Sequence, residues 1–476
     1  MSSYSLPAPN SRPHKSELIM GFLACTTIAV TTWGFAGRAS WAPPAFTGLS
    51  ILTMIASVFL AWREAKPMNW WQVTPVLVFS LLVITSLLNP SHEPDINHHG
   101  RWLPREAWIS WLPSTVDRQA TIKGMMPWVS ALLLFGAIKR ASFSRKGARL
   151  VWAAILIHGG IVALVGIYFH VTAPYEILGF LKDRHGYHFA SFVYRNHWAA
   201  AVIVMVPIAL GFAFSAIGKW KRDRGHFDAV LPGFGIALLL VLTLPIPGSR
   251  SGLLICSGVL VFALIRLAFD VVRSRQTTNN RGKFLATSAF LVFILVTGSA
   301  GIAMTKGRLV EHLKRTQQQL EGIKKGNSDL RILLTRDTLR MAADRPIWGW
   351  GVGTLGIVFP QYQGNYLRDK EGKVSSRVVH SHNDWAQISA ETGVIGLILF
   401  LWLLWLPIRQ GWKSNSVLEK WVTGGLFIVL AYALVDFPLH NPAVLLMVAT
   451  LLGTLGTGND TKVSLAQNRP KRTHLK

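Results

Sequence analysis

Charge and cysteine are both scarce in this chain of 476 residues. Asp, Glu, Lys and Arg together make up 15% of it, against about 25% in an ordinary soluble domain. With 50% hydrophobic residues and a mean hydropathy of +0.34, that deficit excludes a soluble enzyme, a disordered chain and a fibrous repeat. The two cysteines, Cys25 and Cys256, both fall inside apolar runs, so no disulfide framework is expected. Acidic residues are few as well: 23 against 49 Lys and Arg, a net charge of +26. Such a surplus can suit nucleic acid, but here the basic residues sit in short clusters between apolar runs. Lys139, Arg140, Arg145, Lys146 and Arg149 form one, and Lys219, Lys221, Arg222 and Arg224 another. That pattern sets membrane topology, and no nucleic-acid partner is expected.

What the chain has in abundance is apolar runs of about 18 to 22 residues, the length that crosses the hydrocarbon core of a lipid bilayer. The expectation is an all-α polytopic membrane protein with about twelve transmembrane helices. The spans lie near 18–36, 44–61, 72–89, 124–138, 150–169, 197–217, 228–246, 252–270, 284–304, 387–408, 421–437 and 442–458. The first is read as a retained span rather than a signal peptide, since no small-residue cleavage site follows it. Lys and Arg concentrate in alternate inter-span segments, which puts both termini in the cytoplasm. The organisation predicted is a cytoplasmic tail (1–17), nine helices (18–304), a long outer loop (305–386), three helices (387–458) and a basic cytoplasmic tail (459–476). Within the long loop, Leu309, Leu313, Leu320 and Ile323 share one helical stripe, and a second amphipathic stretch runs from Asp329 to Ala343. Residues 90–123 carry His92, His98, His99, Trp102, Trp108 and Trp111, suiting an aromatic layer at the interface. The halves show no inverted repeat, which disfavours a transporter.

Polar islands interrupt the apolar runs, and all fall on the outer side. They are Tyr194-Arg195-Asn196-His197, Gly248-Ser249-Arg250-Ser251-Gly252, the 329–354 segment with Arg331, and His380-Ser381-His382-Asn383-Asp384. A weaker one is Asp436-Phe437-Pro438-Leu439-His440-Asn441-Pro442. Polar residues at membrane depth are costly and usually face an internal cavity. Their convergence on one leaflet predicts a site that handles a membrane-bound substrate. Arg250, alone between two apolar runs, and Arg331, opening an amphipathic helix, each offer a planar guanidinium suited to phosphate oxygens. The plainer readings are an interfacial anchor for Arg250 and a solvated face for Arg331. His382 is the best candidate for direct chemistry, because a neutral imidazole can take a proton from a hydroxyl at neutral pH. If the tenth span begins a turn early, His380, Asp384, Gln387 and Glu391 share a stripe beside it, with Gly393 and Gly396 allowing close helix approach. No cysteine or HExxH pattern supports a metal, so neither metal nor cofactor is expected. Gly351-Val352-Gly353-Thr354-Leu355-Gly356 spells GxGxxG but follows no predicted strand, and is read as a tight turn.

In this order the islands resemble the O-antigen ligase and polymerase superfamily of bacterial envelope glycan enzymes. Its ligase motif is His, then Asn, Ser or Gln, nine arbitrary residues, then Gly-x-x-Gly. Here His382-Asn383, the run Asp384 to Thr392, and Gly393-Val394-Ile395-Gly396 match it position for position. Ser249-Arg250-Ser251-Gly252 and the run from Asp344 to Gly353 also look like the family signature. The resemblance is good over 190–450. It implies a GT-C-type glycosyltransferase of the inner membrane, working on the periplasmic face without metal. Such enzymes pass a glycan from undecaprenyl diphosphate to an acceptor hydroxyl: lipid A-core in ligases, another lipid-linked repeat in Wzy-type polymerases, or a protein in O-oligosaccharyltransferases. The family's essential arginines carry over to Arg250 and Arg331 and its essential histidine to His382, which would either accept the acceptor hydroxyl's proton or contact the leaving phosphate. Arg195, Asn196, His197, Ser249, Ser251, His380, Asn383, Asp384 and Glu391 are the accompanying substrate-binding candidates.

Overall fold

The structure is a computed structural model that describes residues 13–63, 70–94, 102–105, 108–183, 187–223, 230–273, 329–367 and 377–456. These residues fold almost wholly into helices: α1 (Lys15–Trp33), α2 (Ala42–Arg63), α3 (Trp70–Leu88), α4 (Arg118–Ala141), α5 (Arg145–Thr172), α6 (Arg195–Asp223), α7 (Leu231–Leu242) and α8 (Arg250–Arg273). There follow α9 (Leu330–Asp344), a single turn α10 (Leu355–Val358), α11 (Asp384–Lys413), α12 (Val417–Tyr432) and α13 (Pro442–Thr454). Two small antiparallel hairpins, β1 (His92–Pro94) with β2 (Trp102–Pro104) and β3 (Glu176–Ile177) with β4 (Leu181–Lys182), lie in inter-helix loops.

Seven of the helices are long and apolar enough to cross a membrane: α1, α2, α4, α5, α6, α8 and α11. Shorter apolar stretches fall in α3, α7 and α13. Each predicted apolar run overlaps a helix except 284–304, which lies outside the described residues together with the stripe Leu309–Ile323. Helices form here because a backbone in hydrocarbon must satisfy its hydrogen bonds within its own segment. Sorting by burial follows the same physics. The middle of α6, from Trp198 to Leu210, is almost entirely buried, and so is every residue of α13. These two are the axis around which the others pack. The outer helices instead expose apolar side chains away from the core, among them Ile55, Phe59, Ile157, Leu164, Phe262, Ile398 and Trp405. A soluble protein rarely leaves such patches bare; a membrane protein turns them to lipid.

Hydrogen bonds between loops define two ends. At one, Glu17 accepts from the Ser144 backbone (2.9 Å) and hydroxyl (2.7 Å), and Glu419 accepts from Gly456 N–H (2.7 Å). At the other, Asn441 reaches the Ala36 carbonyl (3.3 Å), Arg345 reaches Ser91 and Ser114 (both 3.1 Å), and Arg331 reaches the Val435 carbonyl (3.0 Å). The predicted polar islands all lie at this second end. There a smaller core of Val116, Leu334, Met341, Leu355, Val358, Phe359, Leu367 and Ala390 seats α9 and α10 on α11. The predicted amphipathic stretch from Asp329 is therefore α9, with Asp329 capping it through the Arg331 N–H (2.9 Å).

α11 departs from expectation in two ways. It begins at Asp384, capped by the Asn383 side chain on Ala386 N–H (3.1 Å), so His380 precedes the helix and shares no stripe with Asp384 and Glu391. The Asn383 side chain satisfies an open N–H of the first turn, and that sets the start. Gly393 then interrupts the helix with φ 66° and ψ −174°. The turn and loop of residues 346–351 fill the break: Val394 N–H donates to Pro346 O (2.8 Å), and Trp350 and Gly351 N–H donate to Ala390 and Glu391 O (both 2.9 Å). Gly393 thus admits a loop backbone rather than a neighbouring helix; a Cβ there would lie 2.1 Å from Ile347 O. Gly396 faces the Thr392 side chain of its own helix.

Candidate active site

Asp436 is the centre of the polar end. It is 1% exposed and sits in the turn between α12 and α13. Four other elements reach its carboxylate. From the start of α6, Asn196 Nδ2 donates to Oδ2 (2.6 Å). From the end of α12, the Tyr432 hydroxyl donates to the same oxygen (3.1 Å). From α9, Arg331 Nη2 pairs with it at 3.3 Å. From the loop before α11, His382 Nδ1 stands 3.8 Å from Oδ1, too far for a hydrogen bond and close enough for charge pairing. Phe437 N–H completes the set on Oδ1 (2.9 Å).

Arg250, the first residue of α8, is placed by its neighbours. Ser249 donates to Asn196 Oδ1 (3.0 Å), and Ser251 meets the Tyr432 hydroxyl (3.3 Å). Both flanking serines therefore bond partners of Asp436, which brings Arg250 to the same end of the bundle as Arg331 and His382. Of the predicted set, Arg331, His382, Asn196, Ser249 and Ser251 join this cluster directly. Arg195 lies at its edge, its guanidinium 4.7 Å from the Tyr187 ring centroid.

The remaining candidates do something else. Asp384 binds the ring of His440 and accepts from Leu439 N–H (2.7 Å). Glu391 accepts from Gly353 N–H (2.8 Å), Leu355 N–H (3.3 Å) and Gln387 (3.1 Å). These carboxylates hold the turn before α13 and the glycine-rich turn against α11. GxGxxG is accordingly a tight turn, with Gly351 and Gly353 at φ 104° and 76°. Asn383 is a helix cap. His197 is buried and meets Asn441 Nδ2 at 3.2 Å.

Aromatic rings enclose the imidazoles. Phe437 stacks on His380 (centroids 4.6 Å) and Tyr194 (5.3 Å), and meets His382 (4.8 Å) and His197 (4.9 Å) edge-on. Burial holds the His382 ring below the ordinary histidine range, with Asp436 opposing that shift, and holds His380 further below. His382 is thus neutral at pH 7 and able to accept a proton. Burial works against the Arg331 charge, and Asp436, Tyr194, Tyr432 and Asp329 together more than restore it. Burial, then the Asp436 charge, pushes the Tyr194 phenol up to about 12. The backbone of His382 is left-handed, φ 57°, a conformation that costs a non-glycine residue about 1–3 kcal/mol and collects at functional sites. Its Nδ1, with His380 Nδ1, His197 Nε2 and His440 Nε2, is buried without a hydrogen-bond partner.

Asp436, Tyr432 and Phe437 are the residues sequence reasoning did not choose. Asp436 and Phe437 stand in the weaker island, Tyr432 lies in the apolar run before it, and the Asp436 partner Asn196 lies 240 positions away. An acid beside an apolar run was the available signal. Among the described residues, no group of three or more His, Cys, Asp or Glu side chains is arranged to hold a metal ion.

A family model described as O-Antigen ligase matches residues 235–401. The match contains Arg250, Arg331, His382 and the Gly393–Gly396 motif, and the motif-based resemblance to that superfamily stands on it. Asn196 and Asp436 lie outside the matched residues and reach the site through the fold. A search of curated proteins found no match.

Proposed function

We propose, from the premise that residues 235–401 form a domain of the O-antigen ligase and polymerase type, that this membrane protein is a glycosyltransferase using a lipid-diphosphate-linked glycan. The donor is a glycan on undecaprenyl diphosphate, the acceptor a hydroxyl of lipid A-core, and the site faces the periplasm. The reaction is a single displacement with inversion at the anomeric carbon, run without a metal ion.

The observation that carries this reading is the approach of Arg331 and His382 to one buried carboxylate, Asp436, whose partners Asn196 and Tyr432 bond the two serines flanking Arg250. Guanidinium groups bind the diphosphate and stabilise the charge that develops as it leaves. The neutral His382 ring accepts the proton of the attacking hydroxyl through whichever nitrogen faces it, and Asp436 stabilises the imidazolium that results. The step balances: the acceptor oxygen bonds the anomeric carbon, the bond to the phosphate oxygen breaks, the diphosphate takes the electron pair, and the proton goes to His382.

The test is glycan transfer in membranes. His382→Ala and Arg250→Ala are expected to abolish it while the protein still inserts; full transfer by both variants refutes the site. Deleting the protein in its host separates ligase from polymerase and from protein glycosylation. Loss of long glycan from lipid A-core marks a ligase, shorter chains still on the lipid carrier a polymerase, and loss of glycan from protein an O-oligosaccharyltransferase.

A further inference from the structure

Arg38 follows a turn that few sequences would adopt. Phe35, Ala36 and Gly37, the three residues before it, have φ of 53°, 55° and 90°. Two non-glycine residues in a row with left-handed backbone persist only where surrounding structure over-determines them. Here it does: the Ala36 carbonyl accepts from Asn441 Nδ2 (3.3 Å), which also meets His197 Nδ1 (3.2 Å), and Gly37 is pressed on Pro442, where a Cβ would lie 2.6 Å from the ring. The turn therefore holds Arg38 at the polar end, where its charge acts on Tyr194, His197 and His380.

The carboxylates gathered beside these rings are engaged by other groups. Asp436 is taken by Arg331, Asn196 and Tyr432, Asp384 by His440 and Leu439, and Glu391 by Gly353, Leu355 and Gln387. Asp329 caps α9. Arg331 shares its charge with Asp436, whereas among the described residues no ion pair engages Arg38. An exposed arginine held by a strained turn beside buried rings fits an anion that arrives with the substrate.

We propose that Arg38, outside the family-matched residues, binds a phosphate of the donor's diphosphate. The proposal rests on the transfer reading above and adds a third guanidinium to Arg250 and Arg331. It makes Arg38 a determinant of donor affinity rather than of the displacement itself.

The experiment compares Arg38→Ala, Arg38→Lys and a charge control, Arg63→Ala, at the exposed opposite end of α2. Each full-length variant is assayed for glycan transfer and for binding of farnesyl diphosphate by tryptophan fluorescence, in nanodiscs of neutral or anionic lipid. Arg38→Ala is expected to raise donor KM and farnesyl diphosphate Kd about tenfold, the loss of one charge-assisted contact, with kcat little changed. Arg38→Lys recovers part of it, and Arg63→Ala matches wild type. Unchanged KM and Kd in Arg38→Ala overturn the proposal. So does a variant whose thermal stability alone changes with anionic lipid, which gives Arg38 to a bilayer headgroup. If Arg38→Ala does not accumulate, Arg38→Lys is read by the same criteria. His382→Ala separates the two failures: if it still transfers glycan the transfer reading falls, and if it is dead while Arg38→Ala binds like wild type only the Arg38 assignment falls.

Discussion

The two ends of the helix bundle satisfy their buried polar groups to different degrees. At the Glu17–Glu419 end each carboxylate is consumed by local donors: Ser144 backbone and hydroxyl on Glu17, Ser414 and Gly456 on Glu419. At the Asp436 end, four imidazoles keep a buried nitrogen without a partner: His197, His380, His382 and His440. That end also holds left-handed non-glycine residues Phe35, Ala36 and His382. Buried polar atoms are nearly always satisfied in a folded protein. An end that leaves several unsatisfied and strained is organised for something other than stability. The opposite end holds fewer of both: Arg140 Nε is buried without a partner there, and Ser142 has a left-handed backbone at φ 50°.

The largest expected break in that contrast is Asp436→Asn. The amide keeps the shape and loses the charge that pairs with Arg331 and stabilises His382. Glycan transfer should fall about a hundred- to a thousandfold, about 3–4 kcal/mol of transition-state stabilisation. The residual activity carries a second signature. Asp436 raises the His382 pKa against the effect of burial, so removing it moves the acid limb of the kcat profile to lower pH. An unmoved limb would separate His382 from Asp436.

How much of this was readable in the chain differs by element. Spans were legible because apolar length is a one-dimensional property, and α9 because its Asp329 cap and stripe are local. Arg250, Arg331 and His382 stood out as cations or an imidazole beside hydrocarbon. Asp436 did not, because its meaning comes from Asn196, Arg331 and Tyr432, which only the fold gathers. The start of α11 was misjudged for a local reason: Asn383 is the capping residue, and the stripe through His380 ignored it. Gly393 was misjudged for a tertiary one. Its break exists because residues 346–351 supply and receive the hydrogen bonds that a helix would have made.

That misjudgement yields the next prediction, which sharpens the contrast within one motif. Gly393→Ala places a Cβ 2.1 Å from Ile347 O at φ 66°, and backbone on both sides prevents relief. A loss of about 3 kcal/mol is expected, with glycan transfer lost as residues 346–351 detach. Gly396→Ala sets a Cβ 2.2 Å from Thr392 Oγ1 and 2.3 Å from Thr392 Cβ; the hydroxyl can turn, the Cβ is cleared only by a small shift of the helix, and the cost should be about 1–2 kcal/mol. Thermal unfolding in detergent ranks the two; equal costs would mean that Gly393 is a packing glycine after all.

Glu419→Ala probes the stability end. It strands the Ser414 hydroxyl and Gly456 N–H, both buried, at about 1–3 kcal/mol for each orphaned group. A lower unfolding temperature is expected, with transfer per folded molecule unchanged. Impaired transfer at constant folded fraction would show that the two ends are coupled.

The smallest effect belongs to Arg105→Ala. Arg105 Nε pairs with Glu93 at 3.2 Å near the β1–β2 hairpin, at the same end as Asp436. Both side chains are about half exposed, 43% and 54%, so water screens the pair and its entropy cost offsets most of the attraction. The expected change in stability is under about 0.5 kcal/mol, with donor KM unchanged. The variant matters because it removes an arginine from the Asp436 end without touching Asp436 or the rings packed on Phe437. If it lowered donor affinity as Arg38→Ala is expected to, affinity would follow the net charge of that end rather than the position of any guanidinium, and the distinction drawn between engaged and unengaged cations would fail.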